Sequence, residues 1–289
     1  MKYLFTILLQ ICSLISWGQQ DSSERGFVVE GKLNIFYQSK GSGPAVIFLH
    51  AGYLDMHMWE NQVAFFSSTR RVITIDLPGH GRTNGVDSQN IARIIRDFMD
   101  FLHIDKASFV GLSLGSVCLT EFALAYPERI EKLILCSPGL TGWRGFVNLD
   151  SLSGNLFEHA DSLYKLKDYT MMAEYFTRLW CDGPFREPSA VAPAIRNYVL
   201  QTVKVNNSHA DDYWPVFNQE GQAKYIKTIT VPVLILTGDL DLPFISSLAT
   251  FINQKITGSK RLVVHGAAHM INLEKPELVN QYILAFLEK

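Results

Sequence analysis

Compact apolar runs, separated by amphipathic segments, recur along most of this chain of 289 residues. Six of these runs are rich in β-branched residues, and they occupy residues 45–49, 72–75, 107–110, 133–135, 233–236 and 262–264. Short runs without polar positions are typical of strands that are buried on both faces of a parallel sheet. We therefore predict six strands of one sheet.

Two further strands are predicted ahead of these six. Phe27–Glu30 and Leu33–Tyr37 are short apolar or alternating runs on either side of Gly31-Lys32, which is the pattern of a hairpin. The turn residues Gly41-Ser42-Gly43-Pro44 end the second run. With this hairpin, the predicted sheet has eight strands.

Helical periodicity separates the later runs. Between the second and third runs, one helix face carries Ile91, Ile94, Ile95, Phe98 and Leu102. A last helix is predicted from near Pro276, and its apolar face carries Val279, Ile283 and Phe286. Strands that alternate with helices in this way indicate an α/β fold, in which helices cover both faces of a mostly parallel sheet.

The sheet pattern is interrupted from residue 140 to residue 227. This stretch is rich in aromatic residues and has helical periodicity around 163–180 and 195–203. We interpret residues 140–227 as a helical cap inserted into an α/β core of residues 27–139 and 228–289. An unrelated second domain is the alternative, although a stretch of this length would bury only a small core of its own.

The first 26 residues do not follow the α/β pattern. Met1-Lys2 is followed by an apolar run to about Trp17 and then by polar residues, as in a cleaved secretory signal peptide. We predict a signal peptide at 1–18, a linker at 19–26 and an exported protein, periplasmic or secreted, without stable membrane insertion after cleavage. The run is short for a spanning helix, and an uncleaved anchor is the alternative.

Composition and charge narrow the possible partners. Hydrophobic residues make up 47% of the chain and charged residues 19%, and the formal net charge is -2 without a dense basic run. This balance is globular and provides no electrostatic footprint for nucleic acid. A small neutral or mildly polar molecule is the expected partner. No spacing of Cys and His resembles a metal site, so we expect neither a metal nor an organic cofactor.

Gly111-Leu112-Ser113-Leu114-Gly115 follows an apolar run and precedes a helical stretch that reaches Tyr126. In a nucleophile elbow, a serine occupies a strained turn between a strand and a helix, and glycines flank it because side chains would clash there. Ser113 is therefore the candidate nucleophile. The five-residue pattern is common without its context, and a serine with only a structural role is the alternative.

A serine hydroxyl needs a base, and a neutral imidazole is the usual base near neutral pH. Among the eight histidines, His269 lies in the loop after the last predicted strand, from which it can reach over the carboxyl ends of the strands. His269 is therefore the candidate base. His265 lies closer to the strand end, where local packing or hydrogen bonding is expected.

The base in turn needs a carboxylate that orients it and stabilises the imidazolium. Asp239 and Asp241 both follow the run at 233–236. A carboxylate here, between Ser113 and His269, has the order expected when a nucleophile elbow supplies the serine, and of the two we choose Asp241. Asp239 is expected to cap the turn or to accept hydrogen bonds from backbone amides.

Two N–H donors must point to the carbonyl oxygen on which negative charge develops. One is expected from the backbone of Leu114. The other is expected from the backbone of Tyr53, in the loop His50-Ala51-Gly52-Tyr53, where Gly52 lets the main chain approach the substrate. An ordinary turn at the end of a strand is the alternative for this loop.

These positions, together with the segment Asp76-Leu77-Pro78-Gly79-His80-Gly81, resemble the α/β-hydrolase superfamily. The resemblance extends from about residue 27 to residue 289, and the segments 50–59 and 238–243 are similar to small esterases and enol-lactonases. It implies an α/β-hydrolase fold, in which Asp76–Gly81 is a structural turn and His80 is not catalytic.

Two departures qualify this resemblance. Ala51 stands where many relatives have glycine, and Arg82-Thr83 replaces the commoner small pair after Gly81. Neither departure touches the predicted triad. Ser113 distinguishes the chain from the related dehalogenases and epoxide hydrolases, which carry aspartate as the nucleophile.

The expected reaction is hydrolysis of a small carboxylic ester or lactone through an acyl-enzyme on Ser113. Trp143, Phe146 and Trp180 are expected to contact the substrate beneath the cap, although such aromatic residues could equally form the cap's own core. Relatives with the same triad are carbon–carbon bond hydrolases, proline iminopeptidases and cofactor-free haloperoxidases, and these activities stay open. A non-catalytic ligand-binding module also stays open, as does the oligomeric state.

Overall fold

The structure is a computed structural model that describes residues 23–30, 32–145, 159, 162–163, 165–207 and 215–289. The predicted signal peptide at 1–18, the first part of the predicted linker and Phe146 lie outside the described residues. Within the described ranges, no helix combines the length and the apolarity that a membrane crossing requires.

Eight strands form one sheet, as the hydrophobic pattern predicted. They are β1 Ser23–Glu30, β2 Leu33–Lys40, β3 Ala45–Leu49, β4 Arg71–Ile75, β5 Ala107–Leu112, β6 Ile130–Cys136, β7 Val233–Gly238 and β8 Lys260–Val264. Their spatial order is β1-β2-β4-β3-β5-β6-β7-β8. β1 and β2 form the predicted hairpin, β2 is antiparallel to β4, and every pair from β4 to β8 is parallel. The prediction of a mostly parallel sheet is confirmed.

The central strands are buried on both faces. Along β3, Ile47 and Leu49 belong to one core cluster, whereas Val46 and Phe48 belong to the cluster on the other side of the sheet. Successive side chains of a strand point to opposite faces. A strand that is covered on both sides therefore has few polar positions, such as Thr74 in β4 and Ser108 in β5, which explains the nearly continuous apolar runs.

Helices cover the two faces of the sheet. They are α1 Glu60–Phe66, α2 Ile91–Phe101, α3 Leu114–Ala125, α4 Tyr169–Phe176, α5 Pro193–Asn207, α6 Pro243–Lys255, α7 Ile271–Glu274 and α8 Pro276–Leu287. Both helices predicted from periodicity are present, as α2 and α8. Asn90 caps α2, because its side chain accepts a hydrogen bond from the Ala92 N–H. α2, α3 and α6 bury their apolar side chains in one core cluster, and α1 and α8 bury theirs in the other.

The segment between β6 and β7 carries α4 and α5. α4 continues as a π-helical turn, Thr177–Asp182, and α5 follows. These elements agree with the helical periodicity expected around 163–180 and 195–203. Ala173 of α4 and Val199 of α5 are fully buried in the same cluster as α1 and α8, so the segment packs against the sheet domain.

The two ends of this inserted segment lie side by side. The Ala223 N–H donates to the Thr141 carbonyl at 3.0 Å, and the Gln222 N–H donates to the Thr141 hydroxyl at 3.0 Å. A chain that leaves and re-enters the core at one place can form its helices without disturbing the sheet. The cap boundaries at 140 and 227 stay predictions.

Three cysteines fall within the described residues. Cys118, Cys136 and Cys181 are all buried and free of disulfides. Burial raises the pKa of each thiol, that of Cys181 to about 12. Because the thiolate is the reactive form, these side chains act as small apolar groups of the core.

Candidate active site

The loops that follow four parallel strands meet at one edge of the sheet. β3, β5, β7 and β8 end at Leu49, Leu112, Gly238 and Val264, and the predicted site residues come directly after those ends. The carboxyl ends of parallel strands share one edge, where ligands bind in open α/β sheets. The topology therefore gathers residues that are far apart in the sequence.

Ser113 occupies a strained turn between β5 and α3. Its backbone has φ 53 and ψ -110, which residues other than glycine rarely adopt. Its N–H donates to the Cys136 carbonyl at 3.0 Å, which ties the turn to the end of β6. A Cβ on Gly111 would lie 2.5 Å from the carbonyl carbon of Gly115, and a Cβ on Gly115 would lie 2.2 Å from the Leu49 oxygen. Close packing thus requires both glycines of the elbow.

His269 and Asp241 form a buried pair. His269 Nδ1 donates to Asp241 Oδ2 at 2.8 Å, and each side chain is 2% exposed. Asp241 Oδ1 accepts from the Leu242 N–H at 2.7 Å. Because Nδ1 donates to the carboxylate, the neutral ring presents Nε2 as an acceptor. Nε2 is buried and has no hydrogen-bond partner among the described residues, which is rare for a buried polar atom in a native protein.

The end of β6 holds Ser113 and His269 at neighbouring positions. Cys136 accepts from the Ser113 N–H, and the next residue, Ser137, donates its hydroxyl to the His269 carbonyl at 2.8 Å. Both site residues lie in the described part of the chain, and no hydrogen bond joins their side chains. Catalytic hydrogen bonds are often long without substrate and tighten in the complex.

A second aspartate–histidine pair lies nearby at the surface. Asp239 Oδ2 accepts from His265 Nδ1 at 2.9 Å, and Oδ1 accepts from the Gly266 N–H at 2.7 Å. Burial acts to raise the pKa of the Asp239 carboxyl, but these two donors outweigh it and lower the pKa below its ordinary value. Asp239 thus closes the turn after β7 and accepts from a backbone amide, as expected.

Two further side chains hold the His269 loop, and sequence reasoning missed both. Ser137 binds the His269 carbonyl, and Glu274 Oε1 accepts from the Ala268 N–H at 2.8 Å. Glu274 Oε2 pairs with Arg186 Nη1 of the inserted segment at 2.6 Å, and the two side chains are only 6% and 12% exposed. Arg186 and Glu274 are 88 residues apart, so no local pattern could have connected them.

Leu114 and Tyr53, the two predicted oxyanion donors, lie in the segments that follow β5 and β3. Leu114 is the first residue of α3, so its N–H has no acceptor within the helix and lies at the positive end of the helix dipole. Tyr53 has φ 60 in a turn that the Leu54 N–H closes by donating to the Ala51 carbonyl at 3.2 Å. Ala51, the unusual residue of this loop, is buried, and its N–H donates to Met58 Sδ at 3.3 Å.

The turn Asp76–Gly81 braces the same loop. Asp76 accepts from the Met56 N–H at 2.9 Å and from the Arg82 N–H at 2.8 Å, and burial raises the pKa of its carboxyl. Burial also lowers the pKa of His80 to about 3, so this ring is neutral at neutral pH. These contacts give the turn a structural part in the site.

A row of aromatic rings extends from Tyr53 to His269. Tyr53 contacts Phe176 with 5.3 Å between ring centroids, and Phe176 contacts Trp180 at 6.2 Å. Trp180 contacts His269 at 4.3 Å and Phe244 at 6.1 Å. Trp180 belongs to the π-helical turn, a geometry that is frequent at functional sites. The 4.3 Å contact places Trp180 directly against the imidazole of His269.

Trp143, another predicted substrate contact, lies away from this row of rings. Trp143 packs against Phe251 of α6 with 6.5 Å between ring centroids, and it borders a small cluster that includes Leu242 and Phe244. Phe146 is outside the described residues. In the part of the chain that the structure covers, no group of three or more His, Cys, Asp or Glu side chains could hold a metal ion.

Comparison with known proteins places these features in a family. The chain is 26% identical over 270 residues to Carboxylesterase YbfK of Bacillus subtilis, and the matched region covers 89% of this chain and 84% of that protein. It is 25% identical over 267 residues to 3-oxoadipate enol-lactonase 1 of Acinetobacter baylyi, with 90% and 94% covered. The crystal structure of carboxylesterase CesB (YbfK) from Bacillus subtilis matches with a TM-score of 0.74 at 24% identity over 92% of each chain. Residues 44–276 match the family described as alpha/beta hydrolase fold, so the chain belongs to the α/β-hydrolase fold family and is a hydrolase.

Proposed function

We propose that the chain is a serine hydrolase that cleaves small carboxylic esters or lactones through an acyl-enzyme on Ser113. The observation that carries this proposal is the buried ring of His269, whose Nδ1 is bound to Asp241 while Nε2 has no partner among the described residues. An imidazole held in this tautomer is suited to take a proton from a hydroxyl placed beside it.

A second buried histidine provides the contrast. His50 uses both ring nitrogens, because Nδ1 donates to the Ala51 carbonyl at 2.7 Å and Nε2 accepts from the Leu77 N–H at 2.8 Å. Burial lowers its pKa, so the ring is neutral. His50 is thus a structural histidine with its polar atoms satisfied, whereas the accepting nitrogen of His269 supports a chemical role.

In the proposed reaction, Ser113 Oγ attacks the substrate carbonyl while His269 Nε2 takes the hydroxyl proton, and Asp241 stabilises the imidazolium. The oxyanion accepts from the N–H groups of Leu114 and Tyr53. As the tetrahedral intermediate collapses, His269 returns the proton to the leaving alkoxide and the acyl group stays on Ser113. Water, deprotonated by His269, then attacks the acyl carbonyl, and His269 returns that proton to Ser113 Oγ as the acid is released.

The substrate class is inferred from the surroundings of the base. The rings of Tyr53, Phe176 and Trp180 favour a substrate with an apolar acyl or alcohol group, since apolar walls with few polar groups are usual in small-molecule sites. The relatives named carboxylesterase and enol-lactonase support an ester or a lactone.

An alkyl fluorophosphonate probe tests the nucleophile. We expect the wild type to be labelled and Ser113→Ala to be unlabelled. Ser108→Ala is the matched control, because Ser108 is a buried serine of the strand that leads to the elbow, and it should be labelled like the wild type. Absence of labelling in folded wild type would favour a non-catalytic binding module.

A substrate panel then tests the reaction. The panel contains p-nitrophenyl esters of graded acyl length, five- and six-membered lactones, N-terminal proline amides, a ring-cleavage diketone and a bromination assay with and without an organic acid. We expect the highest kcat/KM for a short ester or a lactone, and Ser113→Ala should abolish it. A dominant activity on any other member would replace the proposed reaction with that one.

We also propose that residues 1–18 direct export, on the support of their sequence pattern. In a bacterial host that expresses the full chain with a C-terminal tag, we expect a mature form beginning at Gln19 outside the cytoplasm. A chain that starts at residue 19 should remain in the cytoplasm. Full-length protein in the membrane fraction would indicate the uncleaved anchor instead.

A further inference from the structure

Helix α5 of the inserted segment reaches the loop that carries Tyr53. Asn206, near the end of α5, is only 4% exposed, and its Nδ2 donates to the carbonyls of Tyr53 and Leu54, each at 3.0 Å. Its Oδ1 accepts from the Gly81 N–H at 3.2 Å. Both amide hydrogens and the amide oxygen are therefore engaged, and all three partners belong to the core rather than to the inserted segment.

A second side chain of α5 binds the next residue of the same loop. Tyr198 Oη donates to Asp55 Oδ1 at 2.9 Å, and burial together with the Asp55 charge raises the pKa of Tyr198. Asp55 also accepts from the His57 N–H at 3.0 Å, which starts the next helical turn of the chain. Residues 198 and 206 are eight positions apart, so they share one face of the helix. α5 thus holds three consecutive residues, 53–55.

Tyr53 is the residue of this loop that needs an external constraint. Its φ of 60 is uncommon for a residue with a side chain, and such a conformation persists when the surroundings over-determine it. Asn206 fixes the peptide on the carboxyl side of Tyr53, and Phe176 packs against its ring at 5.3 Å. Without the amide, the backbone can relax toward negative φ, which turns the Tyr53 N–H to a new direction.

We propose that Asn206 is a positioning residue for the oxyanion hole, which it serves by holding the Tyr53 backbone so that the Tyr53 N–H meets the developing negative charge. This inference rests on the proposed function. It gives the inserted segment a role in catalysis, since helix α5 of that segment would position one of the two oxyanion donors.

The substitution Asn206→Leu tests this inference, with Asn280→Leu as its matched control. Asn280 is a buried amide at 5% exposure in α8, and its Oδ1 accepts from Gln62 Nε2 at 2.9 Å, away from the loop. The measurements are kcat per active site titrated with the fluorophosphonate, KM on a p-nitrophenyl ester, the Ki of an alkyl trifluoromethyl ketone and the thermal midpoint.

We expect Asn206→Leu to lower kcat by up to about 10²-fold, because loss of one oxyanion donor has effects of this size. KM should change little, and the affinity for the trifluoromethyl ketone, whose tetrahedral adduct carries the oxyanion, should fall in parallel with kcat/KM. Asn280→Leu should lower the thermal midpoint but leave kcat and the ketone affinity unchanged.

Two more variants secure the test. Asn206→Asp keeps the shape and the acceptor for Gly81 but removes both donors, so it should reproduce the kcat loss even if Asn206→Leu does not fold. Tyr198→Phe, which removes only the bond to Asp55, should have a smaller effect of the same kind. A folded Asn206 variant with wild-type kcat and ketone affinity overturns the inference, as does an equal kcat loss in Asn280→Leu. If the wild type itself is inert to the fluorophosphonate, the proposed function fails instead.

Discussion

Two aspartate–histidine pairs stand side by side at the ends of β7 and β8. Asp241 and His269 are joined at 2.8 Å, and Asp239 and His265 are joined at 2.9 Å, so the contacts are nearly the same. Their surroundings differ. The first pair is 2% exposed on both sides, whereas the Asp239 and His265 side chains are 35% and 80% exposed.

The contrast shows what burial adds to a pair of residues. Water weakens the attraction between the exposed partners. In the buried pair, packing fixes the ring, and the Asp241 carboxylate is bonded directly to it. The environment, rather than the residue types, distinguishes the proposed general base from the pair in a surface turn.

The largest effect is expected from removing one charge of each pair. Asp241→Asn should lower kcat/KM for the preferred ester by about 10³- to 10⁴-fold, because the amide can hold His269 in the wrong tautomer. Asp239→Asn should leave kcat/KM within about twofold, as for most surface substitutions. Steady-state kinetics on both variants checks the comparison, and comparable losses would show that burial does not separate the pairs.

The next effect compares a buried ion pair, Arg186–Glu274, with an exposed one, Lys224–Glu220. Arg186→Met should lower the free energy of unfolding by about 3 kcal/mol, because it leaves Glu274 buried without its partner. Lys224→Met is the exposed control, since Lys224 and Glu220 are 61% and 55% exposed, and its urea midpoint should match the wild type. Urea denaturation followed by fluorescence measures both, and equal midpoints for the two variants would contradict the expectation.

A third comparison sets a buried histidine against an exposed one through pH. Burial lowers the pKa of His80 from 6.5 to about 3 in the folded chain. At acidic pH the unfolded chain therefore binds a proton at His80 that the folded chain does not bind. The contribution of the neutral ring to the free energy of unfolding is fully present above about pH 6.5 and decreases as the pH falls toward 3. The loss for this one group is about 1.4 kcal/mol per pH unit.

Urea denaturation between pH 7 and pH 4 measures this slope. His80→Phe should show a smaller loss of stability over this interval than the wild type does. His103→Phe, at an exposed position, is the control for the change of side chain. A slope that is unchanged in His80→Phe would mean that the ring is protonated without cost in the folded state.

The smallest effect is expected from Trp180, whose ring packs against His269. Trp180→Leu should lower kcat/KM by up to about tenfold, since an aromatic pair contributes ~0.5–1.5 kcal/mol beyond its buried area. Trp143→Leu is the control, because Trp143 packs against Phe251 rather than His269. Steady-state kinetics with one ester distinguishes the two variants. A larger loss of kcat/KM in Trp143→Leu would indicate that the substrate binds beside Trp143 instead.

The secondary structure followed from local pattern wherever burial was uniform. β3 has the bounds of its apolar run, 45–49, because every neighbour along it is covered. β8 begins at Lys260, two residues before its run at 262–264. It is the last strand of the sheet, and an edge strand keeps polar side chains that a search for apolar runs does not detect.

The choice of carboxylate shows where local reasoning ends. Asp239 and Asp241 follow the same strand, β7, and each binds a histidine of the loop after β8. The order of serine, aspartate and histidine along the chain fits either carboxylate, and only the packed structure shows that the pair with Asp241 is the buried one. Burial depends on what the inserted segment places over the loop, and Trp180 of that segment covers the His269 ring.

The sequence specified the strands, the elbow around Ser113 and the histidine loop, because these depend on near neighbours and on the periodicity of strand and helix. It did not reveal Ser137, Asn206 or Glu274. The bonds from Ser137 and Asn206 to the site span 132 and 153 residues, and buried hydrogen bonds between distant segments leave no periodic trace in either segment. Folding therefore decided which polar groups around His269 are held by hydrogen bonds, while its Nε2 has no partner among the described residues.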